Sequence, residues 1–248
     1  MARVGRAAIH SLLPLSLLCA IACHAARQDD ASQGPGKRLP ATVPSEWTGV
    51  RETPPAAPIS VLTTPKGTWV LHIGDSFVDA SFQQNLRPHF LAAGAKYVSS
   101  ALTAAYTTQW AGDRDLDGWL ARRPSLVIVT LGANEVDVPF PIAHARAIAG
   151  ISRKIAAAGA SCVWTTPPLW KGDDKGILQV IHDYCAPCLF FDSDAVMGRL
   201  EATERRPDRI HPNELGGARW AQAFWTWLSE HRDDSAVPWH LVPYERRG

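Results

Sequence analysis

From Thr68 onward the chain alternates short, unbroken apolar runs with longer amphipathic stretches, and this alternation limits the fold more than any other feature. The runs are Thr68–Ile73, Lys96–Val98, Ser125–Leu131, Ser161–Thr165 and Leu189–Phe191. Each suits a strand buried on both faces, as in parallel sheets covered by helices. Helix-like stretches fall between or after them, at 79–93, 114–122, 141–159, 175–184 and 214–230. In the last, Leu215, Ala218, Ala221, Phe224, Trp225 and Leu228 recur on one side, with Asn213 placed as an N-cap. The expectation is one α/β domain over 67–232, a central parallel five-stranded sheet sandwiched between two helical layers.

What precedes the alternation is of another kind. Arg3 and Arg6 lead into an apolar stretch from Leu12 to Ala22, interrupted by Pro14 and Ser16. It is shorter than the ~20 residues a membrane-spanning helix needs and fits the core of an export signal. The stretch ends Ala20-Ile21-Ala22-Cys23, with small residues suited to a signal peptidase. A Cys directly after them resembles a bacterial lipobox, although Ala20 stands where Leu is usual. On this reading 1–22 is a signal and Cys23 is the lipidated N-terminus of an exported protein of the periplasm or cell envelope, with the membrane a partner through that anchor. Residues 23–66 then form a tether: seven of the chain's 19 prolines lie there without a periodic apolar pattern, which favours extended conformations. Residues 233–248 read as a C-terminal tail.

Charge and cysteine content narrow the classes further. Lysine and arginine total 25 against 24 acidic residues, with no long basic run, so no electrostatic footprint for nucleic acid exists. Of the five cysteines, Cys19 leaves with the signal. With Cys23 lipidated, Cys162, Cys185 and Cys188 leave one bridge and one free thiol, Cys185–Cys188 being one local pairing.

In open α/β sheets ligands bind beyond the carboxyl ends of the strands, and the polar chemistry collects there. After the first run comes Gly74-Asp75-Ser76, after the third Gly132-Ala133-Asn134-Glu135, and before the last helix Asp208-Arg209-Ile210-His211-Pro212. A serine hydroxyl becomes a nucleophile when a base takes its proton, and histidine titrates near neutral pH. A carboxylate on the other ring nitrogen sets the tautomer, and the Asp208/His211 spacing lets one loop present both groups. An acyl-transfer site also needs oxyanion donors, which the Ser76 N–H and the Asn134 side chain supply.

These three segments resemble the blocks of the SGNH hydrolase superfamily, the GDSL-type esterases and lipases. The resemblance implies Ser76 as nucleophile, Asp208 and His211 completing a triad, and Asn134 as oxyanion donor. It also implies a flavodoxin-like three-layer sandwich over residues 68–230 and ester hydrolysis without a cofactor or metal. The family's second block, with its oxyanion glycine, has no match: residues 99–110 contain no glycine before Gly112. Either Gly112 or another backbone N–H within 103–108 has to serve instead.

Competing schemes lack their signatures. There is no Gly-x-Ser-x-Gly elbow and no Gly-x-Gly-x-x-Gly after a strand, and Gly34-Pro35-Gly36-Lys37 has the wrong spacing for a phosphate loop. His72 reads as a strand residue, and His182-Asp183 with Cys185 and Cys188 lacks clear ligand spacing for a metal. Trp110, Trp170 and the Pro167-Pro168 turn are candidates for the wall of a substrate pocket. The sequence thus points to an exported serine esterase acting on short-chain or carbohydrate-linked acyl esters. The alternatives are a non-catalytic carbohydrate-binding envelope protein on the same fold, or an O-acyltransferase using the same site.

Overall fold

The structure, a computed structural model, describes residues 68–233 and 240–241. The expected signal, the Cys23 anchor, the 23–66 tether and most of the 233–248 tail lie outside the described residues. Five strands, β1 (Trp69–Gly74), β2 (Lys96–Ala101), β3 (Leu126–Thr130), β4 (Ser161–Thr165) and β5 (Leu189–Phe191), form one parallel sheet in the order β2-β1-β3-β4-β5. All five apolar runs are therefore strands. β2 extends to Ala101, through half-buried Ser99 and Ser100, because an edge strand needs no continuous apolar sequence.

Alternate residues of the central strands feed two cores. Leu71, Ile73, Val127, Val129 and Trp164 pack against α2 (Thr107–Gly112), α3 (Arg114–Leu120), α4 (Ala145–Ala157) and α5 (Ile177–Tyr184). Val70, Leu126, Ile128, Val163 and Phe191 face α1 (Gln83–Ala92) and α7 (Glu214–Glu230) on the other side, the latter also touched by α6 (Ser193–Met197). The result is the three-layer sandwich anticipated from the sequence.

Differences from that reading are local. The 79–93 stretch starts as an irregular turn, Val78–Phe82, in which Ser81 has φ 70°, and only then becomes α1. The 141–159 stretch opens as a tight 3₁₀ turn, Pro141–His144, before α4. α2 and α6 span six and five residues, too short for helical periodicity to register. Asn213 caps α7 as expected, accepting from the N–H groups of Leu215 and Gly216. Leu215 and Ala218 nevertheless point outward, because Gly216, Gly217 and Trp220 occupy the inward stripe. The tail contributes a short strand: β6 (Arg232–Asp233) pairs antiparallel with β7 (His240–Leu241).

His72 is a core residue, as its strand position implied. Its ring bridges the Tyr97 hydroxyl (2.5 Å) and the Thr130 hydroxyl (2.7 Å), and burial drives its pKa down to about 3, so it stays neutral. A disulfide joins Cys162 on β4 to Cys188 ahead of β5, so the bridge is not the local Cys185–Cys188 pair. Cys185 is the buried thiol, its pKa pushed up to about 11 by burial and thus unreactive. Closing a loop with a sequence separation of 26 stabilises the fold by about 3–4 kcal/mol in the chain-entropy account. Denaturant unfolding with and without reductant should show a loss of that size, absent in Cys162→Ala/Cys188→Ala and retained in Cys185→Ala.

Candidate active site

In the order β2-β1-β3-β4-β5 the connections reverse direction between β1 and β3, so a crevice opens where those two strands end. Gly74 closes β1 with no room for a side chain, since a Cβ there would lie 2.1 Å from the Thr130 carbonyl of β3. Asp75 donates its N–H to that same carbonyl (3.1 Å), and Ser76 begins the helical turns that follow. β3 leads to Gly132, whose φ of 124° favours glycine and turns the chain to present Asn134.

The third element comes from the far end of the chain. Arg205 and Pro212 form an antiparallel bridge, the Arg206 N–H donates to the His211 carbonyl (2.8 Å), and Arg209 takes φ 60° at the tip. This narrow loop carries Asp208 and His211. The His211 Nε2 lies 2.8 Å from the Ser76 Oγ, and its Nδ1 lies 2.8 Å from Asp208 Oδ2. The second Asp208 oxygen accepts from the N–H groups of Ile210 (2.8 Å) and His211 (3.0 Å). Slight burial pushes the Asp208 pKa up, but the hydrogen bonds from the His211 ring and these two N–H groups outweigh it and hold it at about 2. Ser76, His211 and Asp208 thus stand in one continuous hydrogen-bonded line.

Asn134 is near but not in that line. Its Nδ2 donates to the Ala105 carbonyl at 2.9 Å and, over a long 3.4 Å, to Asp75 Oδ2. The loop it touches holds Ala104 at φ 57°, a left-handed position that glycine would take without strain. Gly112 ends α2 instead.

Beneath these groups lie two fully buried carboxyls. Asp75 accepts from the Phe77 N–H (2.9 Å), and Glu135 accepts from the Thr107 N–H (2.5 Å) with His144 Nδ1 at 3.5 Å. Burial raises both pKa values; for Asp75 it prevails over the Phe77 hydrogen bond and, with the added charge of Glu135, brings the value to about 7.

No protein-family profile and no curated protein sequence matches the chain. Solved structures do. The TesA crystal structure superposes with a TM-score of 0.55 at 20% identity, covering 65% of this chain and 98% of TesA. The psychrotrophic esterase EstA from Pseudoalteromonas sp., inhibited by monoethylphosphonate, gives 0.51 at 18% identity over 65% and 99% of the two chains. A G-D-S-L family protein from Desulfitobacterium hafniense DCB-2 gives 0.53 at 17% identity over 64% and 98%. The chain has the fold of the SGNH hydrolases.

Within that SGNH fold, several residues around the site carry no sequence signal. Arg205 is buried and its guanidinium donates to the carbonyls of Ile210 (2.6 Å), Leu169 (2.7 Å) and Pro168 (3.4 Å), tying the Asp208–His211 loop to the segment after β4. Ser81 donates to the Asn213 carbonyl (2.7 Å), linking the turn after Ser76 to the residues after His211. Phe77 packs its ring against His211 (4.9 Å between centroids) and stacks on half-exposed Trp170 (5.5 Å). Trp110 is not a pocket wall: it is fully buried and spends its indole N–H on the Gly74 carbonyl. His182 and Asp183 pair at the surface on α5, and Cys188 is occupied by its disulfide.

Two outcomes follow from this geometry. Arg205→Met should cost about 3 kcal/mol, since charge-assisted hydrogen bonds are lost and buried carbonyls stranded, with faster amide exchange confined to residues 206–211. For Asp75, the folded pKa lies above the unfolded value, so the native state holds the extra proton between about pH 4 and 7. Stability at this group therefore falls as pH rises through that window and levels off above it. Melting temperatures of Asp75→Asn minus wild type should climb from pH 4 to 7 and then stay flat.

Proposed function

We propose that the protein is a serine esterase in which Ser76 is the nucleophile, His211 the general base and Asp208 the group that orients it. The observation that carries the reading is the pair of 2.8 Å hydrogen bonds joining the three side chains. Asp208, ionised above its lowered pKa, can only accept, so the ring proton sits on Nδ1 and Nε2 faces the serine as a base. Oγ attacks the ester carbonyl as His211 takes its proton. The imidazolium then protonates the departing alkoxide, and water repeats the sequence to release the acid.

Charge on the carbonyl oxygen needs preorganised donors. The Ser76 N–H opens a helical turn and has no acceptor within it, and Asn134 needs to give up only its long bond to Asp75 to reach the oxyanion. The backbone N–H of Ala104, in the loop whose next residue holds Asn134, is the third donor in this scheme and replaces the family's glycine. Trp170 supports an acyl ester that is short-chained or carried on a sugar, because its half-exposed ring, stacked on the Phe77 that packs against His211, offers an apolar surface near the site. We also propose that the protein is exported and held at the envelope through Cys23.

Ser76→Ala and His211→Ala should each abolish hydrolysis of an aryl acetate, and Asp208→Asn should lower turnover by about 10⁴ while keeping the fold. Full activity in folded Ser76→Ala would rule the mechanism out. Asn134→Ala should lower kcat by about 10²–10³ with little change in KM. Mass spectrometry of the mature N-terminus should find a lipid-modified Cys23; a start elsewhere removes the anchor and leaves the esterase reading intact.

A further inference from the structure

The opposite end of the sheet carries a second concave surface. Strands rise about 3.3 Å per residue, so the start of β1 lies roughly 20 Å from the Ser76 end. There Trp69, Lys96, Trp119 and Arg122 line a cleft of about 390 Å³ between the first residues of β1 and β2 and the end of α3. Its aromatic walls are held in place. The Trp69 indole N–H donates to the Arg122 carbonyl (3.1 Å), and the Arg122 guanidinium lies over the Trp119 ring at 4.6 Å.

The charge of the lining is one-sided. Lys96 and Arg122 are exposed, and neither is ion-paired with a carboxylate among the described residues. No described residue lining the cleft is acidic. A guanidinium held over an indole remains a planar fork of N–H donors, the group that grips a carboxylate with two parallel hydrogen bonds. Indole faces meanwhile suit the apolar C–H face of a sugar ring.

We propose that this cleft is a second, non-catalytic site that binds an oligosaccharide bearing uronic-acid carboxylates. The sugar ring lies against the Trp69 indole, and its carboxylate is taken by Arg122 and Lys96. Such a site holds a charged polymer on the protein well away from Ser76, and it stands whether or not Ser76 is a nucleophile. A bilayer fits less well, because a concave cleft encloses a single chain where a lipid surface needs a convex one. A nucleic-acid strand would need cations extending along a groove, and this lining offers two.

The test is titration of the full chain with oligogalacturonate, oligomannuronate and neutral malto-oligosaccharide, read by tryptophan fluorescence and calorimetry. Both acidic oligomers should bind, the neutral one should not, and affinity should fall as salt rises. Arg122→Ala and Lys96→Glu should each weaken binding by about tenfold or more while leaving hydrolysis of a soluble aryl ester unchanged. Ser76→Ala should bind as wild type does, which separates this site from the esterase proposal. The inference is overturned if neither acidic oligomer binds, if malto-oligosaccharide binds equally, or if the two variants bind as wild type. It is equally overturned if they lose affinity only for anionic vesicles or a single-stranded oligonucleotide.

Discussion

The hydrogen bond between Ser76 Oγ and His211 Nε2 spans 135 positions of sequence, and most of the architecture serves to keep it at 2.8 Å. One partner is delivered by β1, held between β2 and β3 and ending at Gly74, where a side chain would collide with the Thr130 carbonyl of β3. The other is delivered by a tight loop whose bases are Arg205 and Pro212. The two halves are registered by packing beneath them: Phe82 stacks on Trp220 of α7 at 3.7 Å, and the Ser81 hydroxyl reaches the carbonyl of Asn213. A shift of α7 against the sheet would move His211 with it.

This arrangement stores cost as well as order. Asp75 and Glu135 sit fully buried under the crevice, and both have raised pKa values chiefly because water is excluded. Ser81, Ala104 and Arg209 hold left-handed backbone angles without being glycine. Each such position is disfavoured by about 1 kcal/mol or more, and all three lie on segments that touch Asp75, Asn134, Asp208 or His211 or the turns beside them. The opposing terms are the two apolar cores and the Cys162–Cys188 bridge, which lies on the β4–β5 side of the sheet.

The strands were legible because a parallel sheet covered on both sides demands unbroken apolar residues, and the chain has few such runs to choose from. The meeting of Ser76, Asp208 and His211 was legible because they stand in short polar blocks, one at the end of β1 and one just before α7. Arg205 was not: in sequence it is one arginine of a charged stretch, and only the fold shows that it is buried against three carbonyls. Ala104 was not singled out within 103–108, because the sequence signal for a left-handed backbone is glycine, and alanine takes that conformation here. Trp110 misled for the converse reason, since an aromatic near a site cannot be told from core until its indole N–H is seen on Gly74. α2 and α6 escaped because five or six residues do not complete two helical turns.

In the proposed mechanism one hydroxyl, activated by one histidine, does the chemistry. Stoichiometric treatment with an activated ethyl phosphonate followed by peptide mapping is the decisive measurement. A single covalent adduct is expected on the peptide containing Ser76, with labelling slowed by orders of magnitude in His211→Ala. Adduct on a different residue, or equal labelling of Ser76 without His211, would contradict it.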